Sequence, residues 1–261
     1  MTYTTVPNAQ SRRAALAVPL AAILLLGGCS TASGGGSGPY EALAQTCPDS
    51  PMDTGVKIDE SGSSSSDALR KERLDLVRSY VEKTVVCGGT FSADIFSSSS
   101  GATANLYNGE LTVTAPTEAA RLRKAAGVVD EVMEEISNTY GSALATLPSG
   151  GSDISSILRL FGEQAAQHPD AFHDYVLITD GIQNIGDAQI TGALTPEQAT
   201  SLADRVNVPT LPADTSLTIA GLGRVSGDPV PSEVIEGVVS FYTVLCTRTG
   251  AGECLVVTDA R

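Results

Sequence analysis

The residues best suited to chemistry stand at the end of a short apolar run early in the chain. Val56-Lys57-Ile58 leads into Asp59, and hydroxyl groups follow at every second position, in Ser61 and Ser63. Because side chains alternate along an extended chain, Asp59 and Ser61 point the same way, and Ser63 can follow as the helix begins. Oxygen ligands suit a hard cation such as Mg²⁺, with Mn²⁺ or Ca²⁺ as alternatives. The other interpretation is a serine-rich loop that caps the next helix.

Two further segments place oxygen-bearing side chains beside predicted elements. Ser152 and Asp153 lie in a glycine-rich turn before a helix, and Asp180 closes the apolar run Tyr-Val-Leu-Ile. In doubly wound sheets, ligands gather at the carboxyl ends of the strands. Three such segments in this order indicate a single ligand site at that edge.

The elements that position these groups alternate along the chain. Apolar runs predict strands over residues 54–58, 90–96, 174–179, 216–222 and 255–257, and the segment 106–114, with Asn108-Gly109 in its middle, predicts a hairpin or an edge strand. Amphipathic helices lie between them, most clearly over residues 117–140, where apolar residues step by three and four. This alternation predicts an α/β fold over residues 40–261, in which helices flank a doubly wound, mainly parallel sheet.

The chain resembles the von Willebrand factor A family in three motifs. The metal-ion-dependent adhesion site of that family has Asp-x-Ser-x-Ser after the first strand, a Thr in mid-domain, and an Asp in a Thr-Asp-Gly turn. This sequence has Asp59-Glu60-Ser61-Gly62-Ser63, Gly150-Gly151-Ser152-Asp153 and Ile178-Thr179-Asp180-Gly181, within a resemblance that covers residues 55–259. One departure is Ser152 in place of Thr, which keeps the hydroxyl and loses the methyl group that stiffens the rotamer.

The resemblance implies a site and a function. Ser61 and Ser63 would bind Mg²⁺ directly, Ser152 would join in one state, and Asp59 and Asp180 would act directly or through water. The family's open coordination position takes a carboxylate from a partner protein. The resemblance therefore implies a binding module that is not an enzyme, in which the cation reverses the sign of the charge locally.

The first 39 residues carry the pattern of export and attachment. Two arginines precede an apolar run over residues 14–26 that is too short for a stable membrane anchor, so residues 1–28 are predicted to be a lipoprotein signal peptide. The run ends in Leu26-Gly27-Gly28-Cys29, which resembles a bacterial lipobox and implies a lipid on Cys29. Residues 29–39 would then be a flexible tether that holds the domain at the extracytoplasmic face of the cell membrane.

The charge of the chain excludes several partners. It has 30 acidic and 16 basic residues and a formal net charge of −14, and the predicted cleavage removes two arginines and no acids. Such a domain repels nucleic acid and anionic lipid headgroups, and it needs a covalent lipid to stay on a membrane. Trp is absent and aromatic residues are sparse, so no stacking platform for bases or sugars is evident.

Four cysteines follow Cys29, and in an exported chain they predict two disulfides. Three pairings are possible, of which we favour Cys47 with Cys87 and Cys246 with Cys254. A zinc site is disfavoured because there is no Cys-x-x-Cys spacing and no nearby histidine.

The chain contains two histidines, His168 and His173. Asp170 and Asp174 lie close by in the sequence, but the spacing matches no common metal site. Both histidines are therefore predicted to lie in a surface loop.

Two alternative functions stay open from the sequence. A Mg²⁺-dependent hydrolase would use Asp59 as nucleophile, but it would need an acid where Ser61 stands and a lysine downstream at a strand end. The other alternative is a structural envelope lipoprotein without a metal.

Overall fold

The computed structural model describes residues 39–63, 66–148 and 150–259, which build a six-stranded sheet between two layers of helices. The elements in chain order are α1 (Pro39–Ala44), β1 (Met52–Asp59), α2 (Asp67–Cys87), β2 (Gly89–Phe96), β3 (Thr103–Glu110), α3 (Glu118–Leu144), α4 (Leu158–Ala165), β4 (Phe172–Ile178), α5 (Pro196–Ala203), β5 (Thr215–Ala220), α6 (Ser232–Arg248) and β6 (Glu253–Val256). A 3-10 turn, Ile154–Ile157, leads into α4.

The strand order across the sheet is β3-β2-β1-β4-β5-β6. β3 runs antiparallel to β2, and the other neighbours are parallel. The chain winds outward from β1 to β2 on one side and from β4 to β5 on the other, so the winding direction reverses between β1 and β4. The predicted doubly wound, mainly parallel α/β fold is confirmed, and ligand sites in such sheets lie at the carboxyl ends of the strands at this reversal.

Two apolar clusters hold the helices against the two faces of the sheet. Val176 and Ile178 of β4 pack with α2 and α3, whereas Tyr175 and Leu177 of the same strand pack with α4, α5 and α6. All eight residues of β1 are buried, as a central strand covered on both faces requires. Asp59, the last residue of β1, and Asp180, two residues after β4, are therefore carried by central strands that helices cover on both faces.

Local sequence signals set several helix boundaries. The Ser66 hydroxyl accepts a hydrogen bond from the Leu69 amide at the start of α2, and Thr117 caps α3 in the same way. The sequence Thr195-Pro196-Glu197-Gln198 predicts a capping box, and this box is present at α5 between Thr195 and Gln198. α2 ends at Gly88, whose φ of 83° is a conformation that glycine adopts without strain.

Both predicted disulfides are present, Cys47–Cys87 and Cys246–Cys254, with Cα–Cα distances of 5.2 and 5.9 Å. The first spans 40 residues and joins the segment after α1 to the end of α2. A loop of that length is worth about 4 kcal/mol in the chain-entropy account. The second fixes α6 to the edge strand β6.

Two segments depart from their local propensity. The sequence of residues 40–53 predicts an irregular lead-in, but this segment begins with α1, whose Tyr40 and Leu43 pack against the α2–α3 cluster. Of the two alternatives for residues 106–114, the edge strand is confirmed and the hairpin is wrong: Asn108 and Gly109 lie inside the edge strand β3 and pair with β2, and the connection between the two strands falls earlier, over residues 97–102. In both places, pairing with a neighbour overrides the local turn and loop propensity.

The predicted signal peptide, the lipidated Cys29 and the tether lie outside the described residues, apart from Pro39 at the start of α1. None of the helices in the described part of the chain has the length and apolar character that a membrane crossing requires.

Candidate cation site

Asp59 is the last residue of β1, and its side chain is fully buried. The Ser61 amide donates to its Oδ1 at 2.9 Å, and the Thr179 hydroxyl donates to its Oδ2 at 2.7 Å. Because Thr179 directly follows β4, this second bond joins the carboxyl ends of the two central strands. Both carboxylate oxygens of Asp59 are thus held in place by neutral donors.

Asp180 lies on the turn after β4 and is also fully buried. The Ile182 amide donates to its Oδ1 at 2.8 Å, and the Gly223 amide donates to its backbone carbonyl at 2.8 Å. The next residue, Gly181, has a φ of 77°, and a Cβ there would lie 2.6 Å from Val238 Cγ1. The turn therefore requires glycine at this position, and it fixes the place of the Asp180 carboxylate.

The two carboxylates act on each other. Burial, and then the negative charge of Asp180, raise the pKa of Asp59 to about 6. The hydrogen bonds from Thr179 and Ser61 lower this pKa without compensating for those two effects. Two like charges in a buried site are unfavourable unless a proton or a cation lies with them.

The Ser61 hydroxyl is buried beside this pair. It lies near enough to Asp59 to lower the pKa of that carboxyl slightly, but it makes no hydrogen bond of ordinary geometry within the described residues. A buried polar atom without a partner is costly. Two carboxylates and an unpaired hydroxyl form an oxygen-only donor set, which fits a hard divalent cation.

The other two predicted ligands lie on adjoining loops. Ser63 is exposed, and its carbonyl accepts a hydrogen bond from the Ser226 amide at 2.8 Å. Ser152 is buried; its amide donates to Asn184 Oδ1 at 2.7 Å, and its carbonyl accepts from the Asn184 amide at 3.1 Å. These bonds tie the Ser152 loop to the loop that follows Asp180.

The structure therefore brings Asp59, Ser61 and Asp180 to one edge of the sheet, with Ser63 and Ser152 on the loops around it. Within residues 39–63, 66–148 and 150–259, no group of three or more His, Cys, Asp or Glu side chains is arranged to hold a metal ion. A cation at this edge would thus depend on serine hydroxyls as well as on the two acids.

Glu60, the residue between Asp59 and Ser61, belongs to the opposite face of the sheet. Tyr140 donates to its Oε1 at 2.7 Å, and Arg73 Nη1 lies 3.3 Å from the same atom. Arg73 also donates to the carbonyl of Asp59 at 2.6 Å. Glu60 thus has partners within the α2–α3 layer, and it is not part of the candidate site.

Three residues near the site were missed from the sequence. The Thr-Asp-Gly motif includes Thr179 but gives it no role of its own, although a hydroxyl directly before an acid is a usable signal. Asn184, four residues after Asp180, orders the Ser152 loop. Tyr242 lies among apolar residues of α6, so its helical spacing predicts a core residue, and nothing in the local sequence indicates a role at the site.

An apolar groove of about 500 Å³ borders the site. Ser63 and Ile182 line it on the side of the cation site, and Val225, Pro229 and Val234 line it on the side of α6. A ligand that reaches Ser63 therefore meets apolar surface beside it.

A second buried polar cluster lies at the opposite edge of the sheet, around Asp53 near the start of β1. Tyr175 donates to Asp53 Oδ2 at 2.5 Å, Gln164 donates to Oδ1 at 2.8 Å, and His173 Nδ1 lies 3.1 Å from Oδ2. The predicted surface position of His173 is wrong, because β4 begins at Phe172 and its second residue is fully buried.

Fold and site together define a doubly wound α/β domain with an oxygen-rich site where the winding reverses. No protein-family model matches the chain, and no curated protein matches it. Similarity is found among solved structures.

One of these structures is the conserved hypothetical protein BatB from Bacteroides thetaiotaomicron, at 12% identity and a TM-score of 0.42, over 80% of this chain and 91% of that one. Another is a von Willebrand factor type A protein from Catenulispora acidiphila, at 13% identity and a TM-score of 0.36, over 80% of this chain and 38% of that one. A third is the manganese-loaded TRAP protein of Plasmodium vivax, at 12% identity and a TM-score of 0.37, over 73% of this chain and 63% of that one. Von Willebrand factor type A structures are thus among the matches, as the motif resemblance predicted, and the likeness concerns the fold alone.

Proposed function

We propose that this chain is a lipid-anchored, extracytoplasmic binding module of the von Willebrand factor A type. It holds one divalent cation, Mg²⁺ or else Mn²⁺ or Ca²⁺, and engages a carboxylate of a partner protein through that ion. The proposed ligands are Asp59, Ser61, Ser63, Ser152 and Asp180. The observation that supports this most directly is the pair of buried carboxylates at the switch point beside the buried Ser61 hydroxyl, which makes no hydrogen bond of ordinary geometry within the described residues.

The chain's own groups hold the donor oxygens in position before any ion arrives. Thr179 and the Ser61 amide fix the Asp59 carboxylate, and the Ile182 amide fixes that of Asp180. Such preorganisation reduces the ordering cost of binding. When bound, a divalent cation supplies positive charge and a coordination position for an incoming carboxylate.

The charge of the chain makes a local cation useful. With a formal net charge of −14, the chain attracts cations and repels an acidic partner at long range. An acidic group of a partner therefore needs a site of opposite sign within this negative surface. Covalent lipid at Cys29 would keep the module at the membrane, where the partner would be met.

The test of the metal site is isothermal titration of the purified chain with MgCl₂ and MnCl₂. The wild type is expected to bind one ion, and Asp59→Asn, which keeps the shape and removes the charge, is expected to bind about 100-fold more weakly or not at all. Asp228→Asn is the matched control, because it removes one negative charge from an exposed position of the neighbouring loop. Equal binding by wild type and Asp59→Asn, or no binding by the wild type, contradicts the proposal.

The partner's carboxylate is tested by a pull-down from envelope extract with wild type and Asp59→Asn, each with and without EDTA. A true partner is retained by the wild type only, and only without EDTA. Its retention should disappear after its own carboxyl groups are converted to amides. If the partner were retained equally with and without EDTA, and equally by wild type and Asp59→Asn, it would bind elsewhere on the surface.

A further inference from the structure

Tyr242 lies beneath the candidate site, and hydrophobic packing does not account for its hydroxyl group. It lies on α6 and is fully buried, and its ring meets that of Phe241 edge-on at 5.0 Å between centroids. A Cβ on Gly181 would lie 3.1 Å from its Cε2. The ring therefore packs directly under the turn that carries Asp180.

Its hydroxyl has no hydrogen-bond partner among the described residues. Packing alone does not require that oxygen, since phenylalanine fills nearly the same volume. Because an unpaired buried hydroxyl is costly, a partner that is not part of the chain is the simplest way to satisfy it.

The surroundings of the hydroxyl indicate what that partner is. Burial, and then the negative charges of Asp59, Asp180 and Asp153, raise the pKa of Tyr242 well above its ordinary value. The hydroxyl therefore keeps its proton and lies in the field of three carboxylates, of which Asp180 belongs to the turn that packs on the ring. It makes no direct bond to any of them, so one buried water between them is the natural bridge.

We propose that Tyr242 is a positioning residue of the cation site, whose hydroxyl donates through one ordered water to the carboxylates that hold the ion. Groups behind metal ligands commonly fix ligand orientation and tune affinity. This role rests on the proposed function, because it is exerted only on an ion-binding site. The alternative is a core tyrosine whose oxygen contributes nothing to the site.

The test is Tyr242→Phe, followed by isothermal titration with MnCl₂ and MgCl₂ and by urea unfolding in EDTA. The variant is expected to bind either ion about tenfold more weakly. Its stability in EDTA is expected to equal or exceed that of the wild type, because an unpaired buried hydroxyl has been removed.

Tyr175→Phe is the matched control at the opposite edge of the sheet. The Tyr175 hydroxyl donates to Asp53 at 2.5 Å, so its loss should lower stability in EDTA and leave ion affinity unchanged. Each variant loses a hydroxyl oxygen from a buried tyrosine. Tyr242→Phe should lower ion affinity without loss of stability, whereas Tyr175→Phe should lower stability without loss of ion affinity.

The failures can be told apart. If the wild type binds and Tyr242→Phe binds equally tightly, the positioning role is wrong and the proposed function stands. If Tyr242→Phe loses stability in EDTA as Tyr175→Phe does, the hydroxyl has a structural partner and the role is wrong. If the wild type binds neither ion, the proposed function is wrong and this role falls with it.

Discussion

The two ends of β1 carry the same residue under opposite electrostatic conditions. Asp53 and Asp59 lie on one strand and are equally buried, with exposures of 1% and 0%. Burial raises the pKa of Asp53, but hydrogen bonds from His173, Tyr175 and Gln164 outweigh it and hold that pKa below its ordinary value. For Asp59, burial and the neighbouring Asp180 outweigh the donors, so its pKa rises to about 6.

The difference lies in whether the chain itself satisfies the charge. Around Asp53, a phenol, an imidazole and an amide converge, and Thr90 adds a hydroxyl at 3.2 Å. Around Asp59, the donors are fewer, a second carboxylate approaches, and the hydroxyls of Ser61 and Tyr242 have no hydrogen-bond partner in the part of the chain that the structure describes. At the first end the donors outweigh burial and hold the pKa of Asp53 low, whereas at the second end they do not, and under the proposed function a cation would balance that charge.

The sharpest test of this comparison is the same substitution at both ends. In EDTA, Asp53→Asn should destabilise the chain by about 2–4 kcal/mol, because several buried donors lose their charged acceptor. Asp59→Asn should leave the metal-free stability unchanged or higher, since it removes one of two neighbouring buried charges. Urea unfolding of both variants measures the difference, and equal losses would show that both ends are structural.

The second prediction concerns pH. A carboxyl whose pKa is raised by folding favours the folded state at low pH, and this contribution is lost as pH rises through the folded value. For Asp59 the window runs from about 4 to about 6, so metal-free stability should rise on acidification from pH 7 to 5, by on the order of 1 kcal/mol. Asp53 acts with the opposite sign, and only at a pH below its unfolded value.

Other acids also change the unfolding free energy in the same direction on acidification, so their contribution must be subtracted. Burial raises the pKa of Asp174 despite its bond to Lys83, and the acidic chain repels itself less as it is protonated. The Asp59 contribution is the difference between wild type and Asp59→Asn, each unfolded in EDTA at both pH values. With Mg²⁺ present, the stabilisation by the ion should shrink below pH 6, because protons compete for Asp59. A pH profile identical in both proteins would contradict the assignment.

Much of the fold could be predicted because its signals are local or periodic. The bounds of α6, the capping box of α5 and the buried run of β4 follow from side-chain periodicity and caps. The failures share one cause, which is a partner distant in sequence. α1 exists because α2 and α3 cover its apolar residues, Asn108-Gly109 stays extended because β2 pairs with it, and His173 is buried because Asp53 lies opposite.

The site divides in the same way. The spacing of Asp59 and Ser61, and the acid that follows β4, are visible in the sequence because each lies at or just after a strand end. Thr179 and Asn184 act through bonds between segments that spacing does not encode. Tyr242 is the hardest of these residues to predict from the sequence, since its position in the helix pattern is that of any core residue. What distinguishes it is that its hydroxyl has no hydrogen-bond partner among the described residues.

Ser61→Ala should have the smallest effect on stability. It tests the contrast between buried groups that have hydrogen-bond partners and those that do not. In EDTA the unfolding free energy should change by less than about 0.5 kcal/mol, because a hydroxyl without a hydrogen bond is removed. Affinity for Mn²⁺ should fall about tenfold, since a proposed direct ligand is lost.

Ser97→Ala is the control for Ser61→Ala, because Ser97 is equally buried but donates to the Pro148 carbonyl at 2.9 Å. That variant should lose about 1 kcal/mol in EDTA and keep its affinity. If Ser61→Ala lost stability in EDTA and kept its affinity for Mn²⁺, the Ser61 hydroxyl would have a structural role and would not be a ligand. Asp59 and Asp180 would then have to hold any ion without it.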